Sequence, residues 1–179
     1  GNYIIRARLY YFALNCGLKP LTVIHPKSHV SKYARLGQGT VVLAGAIIQT
    51  NAIIGDNVIV NTASSIDHDN LILHHACINP QATLAGGVLV GYYATIHTNA
   101  TITPYRRVGD NSIVGAGAVV LNDVPPNRVY VGVPAKELKK NPEKPGKSLV
   151  GKLFNRKYHS IIFDKEYEGE VLYDEDPPI

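Results

Sequence analysis

The sequence predicts an all-β solenoid built from hexapeptide repeats, and three observations carry that reading. Stepping by six from Ile24 to Val120 meets Ile, Val or Leu at all 17 positions. The fifth position of each hexad is usually small, as at Ser28, Ala34, Thr40, Ala46, Ala52, Ser64, Ala76, Ala82, Ala94, Ala100, Ser112 and Ala118. Glycine follows the aliphatic residue at Gly37, Gly55, Gly91, Gly109 and Gly115. Period six fits neither an amphipathic helix nor an alternating hairpin. It fits short β-branched strands joined by tight corners, with glycine where the backbone needs unusual angles or close approach. Three hexads close one triangular coil of 18 residues, and neighbouring coils then pair as parallel strands ~4.8 Å apart.

The elements follow in chain order. Residues 2–15 read as a helix, with Ile5, Leu9, Phe12 and Ala13 on one face and Gly17 as its stop. Leu21-Thr22-Val23 reads as a short strand leading into the solenoid, which runs over 24–125. Two fifth positions carry a larger polar residue. Asn70 follows the polar triplet Asp67-His68-Asp69, which suggests a polar site. Arg106 suggests a local distortion or an outward loop across Pro104-Tyr105-Arg106-Arg107. Pro125-Pro126 stops the repeat, and residues 126–140 form a cap, with Val129 to Ala135 closing the coil and Lys136 to Lys140 as a short helix or turn. Residues 141–179 are a Pro/Lys/Gly-rich linker and a C-terminal extension.

Bulk composition bounds the function. The 179 residues are 45% hydrophobic and 18% charged, enough for one core. A net charge of +4 is too small and too scattered to argue for nucleic acid. Cys16 and Cys77 set no disulfide framework and read as small buried apolar residues in a reducing compartment. No apolar run approaches the ~20 residues of a membrane-spanning helix, so a cytoplasmic protein is expected. The chain has no methionine, which implies a processed or truncated N-terminus.

The chemistry-bearing stretch is Ile66-Asp67-His68-Asp69-Asn70, with a histidine between two carboxylates. A neutral imidazole takes a proton near pH 7, and an adjacent carboxylate orients it and stabilises its charged form. In an irregular loop such a histidine is more often a solvated corner residue. The repeat fixes its place instead: Gly86 lies 18 residues after His68, one full coil, at the same corner.

The residues Asn61 to Lys136 resemble the family of sialic-acid O-acetyltransferases and nucleotide-amino-sugar N-acetyltransferases. The matching stretches are Ile66-Asp67-His68-Asp69, the run from Ala82 to Val88, the run from Ile113 to Val120, Asp123-Val124-Pro125, and Val131-Gly132-Val133-Pro134-Ala135-Lys136. Ile24-His25-Pro26 and Gly1-Asn2 with Arg6 match earlier segments. The resemblance implies a left-handed parallel β-helix, preceded over residues 1–23 by the remnant of an N-terminal α/β domain. It implies acetyl-CoA-dependent acetyl transfer to an amine or hydroxyl of a sugar, in bacterial polysaccharide biosynthesis. His68 would be the general base and Asp69 would raise its basicity. The Gly86 amide would bind the acetyl carbonyl, and Cys77, Thr98 and Ala116 would contact acetyl-CoA. Asn2 would contact the acceptor, a sugar or nucleotide-sugar. A homotrimer with the cofactor between subunits, and no metal, is implied as well.

Three departures stand out. Cys77 takes the place of the family's second histidine, and His97 replaces a glycine. The Gly-rich turn that grips a nucleotide is missing, so either the chain is a fragment or its acceptor carries no nucleotide. Two other readings remain. One is a non-catalytic oligomeric scaffold. The other is a zinc enzyme like the γ-class carbonic anhydrases, which needs two histidines two coils apart at one corner; the positions 36 residues from His68 are Lys32 and Pro104.

Overall fold

The computed structural model describes residues 3–141. Asn2 and the extension beyond Asn141 lie outside the described residues. The hexads fold as 17 strands of two residues each, from β1 (Val23–Ile24) to β17 (Val119–Val120). They stack into three parallel faces with a register step of 18 residues, as in Val23↔Val41 and Thr83↔Ser65. The first face carries eight strands, the second six and the third five. The register follows from the sequence, because a one-residue slip would turn each inward aliphatic residue outward. Ile48, Ile66, Ile72, Ile78, Leu84, Ile96 and Ile102 are fully buried along the axis. Each contributes roughly 1.5–3 kcal/mol of burial.

The corners repeat one geometry. Their third residue sits in the left-handed region: Asn51, Asp69, Gly87 and Tyr105 form such a column at φ of 58°, 58°, 68° and 59°. Asn, Asp and Gly adopt this conformation at little cost, whereas Tyr is strained there. The segment Pro104–Arg107 forms no outward loop. Tyr105 N–H donates to Gly86 O, and Leu89 pairs Arg107 in register. The Arg106 side chain folds back onto Pro104 O, and the corner keeps its register although Arg106 N–H makes no bond to Thr103 O.

Several other expectations are corrected. The entry strand is Val23–Ile24, and Thr22 instead bonds Gly37 O through its hydroxyl. Lys136–Lys140 is neither helix nor turn but an extended strand, β19, antiparallel to β18 (Arg128–Val131), which closes the end of the first face. Asn141 is buried and bonded to Asn111 and Asn127, so the chain is anchored there rather than opening a linker. Cys16 is exposed.

Helix α1 (Tyr3–Asn15) lies along the corner between the third and first faces. Its apolar face points away from the solenoid: Ile5, Leu9 and Phe12 are each more than half exposed. The packed face is aromatic and polar. Tyr3 Oη donates to Asn111, Arg6 donates to His75 O, and Tyr11 meets His75. These partners outweigh the aliphatic stripe because the corner offers polar groups that need pairing. No helix among the described residues is long and apolar enough to cross a membrane.

Candidate active site

His68 sits on the corner joining β8 (Ser65–Ile66) to β9 (Leu71–Ile72). Its backbone N–H donates to Asp67 Oδ1 at 2.8 Å. Its ring Nδ1 lies 2.7 Å from Asp69 Oδ2. An ionised carboxylate only accepts, so Nδ1 carries the hydrogen and Nε2 presents its lone pair outward. Asn51, one coil earlier, donates from Nδ2 to Asp69 Oδ1 at 3.1 Å and holds the carboxylate from behind. The hydrogen bond to Asp69 raises the His68 pKa above its ordinary value. The same bond, aided by Asn51, lowers that of Asp69. Both side chains are about half exposed, so the base is open to an acceptor.

Gly86 lies on the next coil, between β11 (Thr83–Leu84) and the third face. The imidazole rests directly on it: a Cβ there would fall 2.5 Å from His68 Cε1 and 2.6 Å from Nε2. Gly87 N–H donates to His68 O at 3.0 Å, which fixes the spacing of the two corners. The Gly86 N–H meets no acceptor among the described residues. The Tyr105 ring packs over Gly87 from the far side. The result is a slot with a glycine floor, His68 on one side and Tyr105 on the other.

The other expected residues lie elsewhere on the chain. Thr98 and Ala116 are exposed on the corner between the first and second faces, one coil apart and in a column with Pro80. Asn99 N–H bonds Pro80 O, and Gly117 N–H bonds Thr98 O. The N–H groups of Thr98 and Ala116 are without acceptors among the described residues. Cys77 stands on β10 (Cys77–Ile78) of the first face, with Sγ 3.4 Å from Asn79 Oδ1. Burial raises its thiol pKa, and nearby Arg6 opposes the shift. One chain therefore joins His68, Asp69 and Gly86 at one corner, and Thr98 and Ala116 at another.

His74 and His75 are not surface residues. They are 8% and 1% exposed, on the corner under α1. His75 Nδ1 meets Asn57 Nδ2 at 2.8 Å, Nε2 meets Tyr11 Oη at 2.8 Å, and the ring stacks on Tyr93. Burial pushes its pKa down to about 3. His68, His75 and His97 thus occupy three different corners. Among the described residues no three His, Cys, Asp or Glu side chains converge as a metal site.

One site residue escapes the sequence reading, and a second is legible only in part. Asn51 was findable, since it lies 18 residues before Asp69. Asn70 stood out as a break in the repeat, but its partners did not. Its buried Nδ2 donates to Asp67 O at 2.8 Å and to Ala85 O at 2.9 Å.

A three-faced parallel solenoid whose corner stacks a carboxylate-held histidine on a glycine amide defines a class, the hexapeptide-repeat acyltransferases with a left-handed β-helix. Within it, the chain belongs to the sugar acetyltransferase family. It is 37% identical to a histidine-to-asparagine mutant of perosamine N-acetyltransferase from Caulobacter crescentus, determined in complex with CoA and GDP-perosamine. That match has a TM-score of 0.77 and covers 78% of this chain and 67% of the other. The acetyltransferase domain of PglB from Neisseria gonorrhoeae, determined with acetyl coenzyme A, is 40% identical, with a TM-score of 0.76 and coverage of 77% and 67%. GDP-perosamine N-acetyltransferase of Escherichia coli O157:H7 is 34% identical over 132 residues, 74% of this chain and 52% of that protein. The chain thus spans about half the length of that curated relative. No family model matches it.

Proposed function

We propose that the protein transfers an acetyl group from acetyl-CoA to an amine or hydroxyl of a sugar, with His68 as general base. The observation that carries this is the stacking of His68 on Gly86, with Nδ1 held by Asp69 and the Gly86 N–H free. The acceptor's N–H or O–H gives its proton to His68 Nε2 as its heteroatom attacks the thioester carbon. The Gly86 N–H stabilises the oxygen on which negative charge develops. The C–S bond then breaks, and the CoA thiolate leaves and takes up a proton. Asp69 and Asn51 hold the imidazole in the tautomer that makes Nε2 the base.

The free amides of Thr98 and Ala116 form a column along which pantetheine would run, and Cys77 would flank it. In one chain this column and the His68 corner are separated by the second face. A homotrimer, in which corners of neighbouring copies meet, would bring the two sets together. The relatives act on nucleotide-linked amino sugars by their names, which supports an amino-sugar or nucleotide-sugar acceptor, with Asn2 among its contacts. The test is incubation with acetyl-CoA and a panel of amino sugars and GDP- or UDP-linked sugars, read by mass spectrometry. Gain of one acetyl group on an acceptor, absent with His68→Ala, supports the reading. No acetyl gain on any acceptor, together with no binding of acetyl-CoA, overturns it.

A further inference from the structure

Asn70 is the buried amide side chain at the fifth position of a hexad, where most hexads have alanine or serine. Most corners close through a backbone bond from the fifth-position N–H to the carbonyl three residues earlier, as Ala82 does to Asn79 and Ala100 to His97. Among the described residues, the two stacked corners of the site, 67–70 and 85–88, lack that bond. One group replaces both. Asn70 Nδ2 donates to Asp67 O on its own corner and to Ala85 O on the next, with a longer contact to His68 O at 3.3 Å.

The consequence lies in the Ala85–Gly86 peptide. A trans peptide is planar, and its N–H points opposite to its C=O. Asn70 is 1% exposed, so its hold on the Ala85 carbonyl turns that oxygen into the solenoid. The Gly86 N–H is therefore aimed outward, beside the His68 ring that rests on the same residue. The arrangement has a cost. Asn70 Oδ1 is buried without a hydrogen-bond partner, so the group is desolvated with nothing in return. Most other corners close with alanine or serine, and among the described residues no other fifth-position side chain leaves such an orphan.

We propose that Asn70 is a positioning residue that aims the Gly86 amide at the thioester carbonyl and ties it to the corner carrying His68. This rests on the acetyl-transfer reading above. The probe is acetyl-CoA carrying ¹³C at the thioester carbonyl, bound to the full chain and followed by isotope-edited infrared difference spectroscopy. No acceptor is needed. In wild type the carbonyl stretch lies below that of free acetyl-CoA, because the amide donates to it. In Asn70→Ala it returns towards the free position while the protein still binds acetyl-CoA. Asn70→Ser restores part of the shift, since a hydroxyl at this position reaches a neighbouring corner carbonyl elsewhere in the chain, as Thr40 Oγ1 does to Gly55 O at 2.8 Å. With an acceptor in hand, turnover of Asn70→Ala falls ~10²-fold, as for loss of one oxyanion donor, and the pH at which the base titrates stays in place. An unchanged stretch in a folded Asn70→Ala overturns the positioning role alone. Unfolding of both variants overturns it too, by making Asn70 structural. Absence of acetyl-CoA binding in wild type overturns the transfer reading itself.

Discussion

The imidazole of His68 occupies the space that a side chain on Gly86 would fill. Gly86 is not in the left-handed region, so alanine is allowed there by the backbone. What alanine cannot do is share space with the ring. Gly86→Ala should leave the melting temperature within a few degrees of wild type, because the displaced group is a half-exposed side chain. Turnover should fall ~10²-fold, the usual effect of moving a reacting group by about 1 Å. Steady-state kinetics beside a thermal melt checks this; wild-type turnover would mean the ring and the amide do not act together.

The pH profile tests the Asp69 contact. The bond to Asp69 raises the His68 pKa. A base works only when unprotonated, so kcat/KM should rise with pH along a limb centred above the ordinary histidine value of ~6.5. Asp69→Asn removes the ionised acceptor, so the limb should move down in pH, and the plateau rate should drop ~10-fold or more as the tautomer is freed. Asn51→Ala should leave the limb close to its wild-type place and lower the plateau, since Asn51 holds Asp69 but does not touch the imidazole. A limb that stays in place in Asp69→Asn would assign it to another group.

His75 predicts acid sensitivity of the fold. Its folded pKa is depressed to about 3 by burial, with the charges of His74 and Arg6 adding to the shift. The unfolded chain binds the proton near pH 6.5. The stabilisation from a neutral His75 is therefore fully present above about pH 6.5 and is lost as pH falls towards 3. The slope is about 1.4 kcal/mol per pH unit at most. His75→Asn suits the left-handed φ of 64°, and its column already holds Asn57 and Asn111 at that corner position. The variant should be less stable at pH 7, by about 1–2 kcal/mol for the lost Tyr11 bond and ring packing. Its stability should also depend less on pH between 6.5 and 4. Urea melts across that range decide it; parallel curves for the two proteins would rule out His75 as the source.

The hexads made the register legible, because every inward aliphatic recurs at six and every strand pairs at 18. The same arithmetic places His68 and Gly86 at one corner of adjacent coils. The helix over 2–15 was legible as Tyr3–Asn15, but which of its faces packs was not, because the corner beneath offers Asn57, His75 and Asn111 rather than an apolar surface. Of the two readings at Arg106, the outward loop fails and a local distortion stands: the corner keeps its register but lacks the bond from Arg106 N–H to Thr103 O. Nothing in the spacing of His74 and His75 announces that a helix covers their corner.

The amide column at the opposite corner yields the last test. The N–H groups of Thr98 and Ala116 are free, and Pro80 occupies the same corner position one coil before Thr98. Proline therefore fits the backbone of this corner, where its fixed φ is suited to the second turn residue. Ala116→Pro deletes one donor, and Thr98→Pro deletes the backbone N–H together with the side-chain hydroxyl; neither adds a charge. If pantetheine bonds these amides, each variant should weaken acetyl-CoA binding by ~3–10-fold, the value of one hydrogen bond of about 1 kcal/mol. Turnover at saturating acetyl-CoA should change little, because His68 and Gly86 are untouched. Ala44→Pro is the control. Ala44 holds the same corner position three coils before Thr98, and its N–H is also free. Calorimetry with acetyl-CoA should find Ala44→Pro unchanged. Equal weakening in all three would trace the loss to strain in the solenoid, and no weakening in any would remove these amides from the cofactor path.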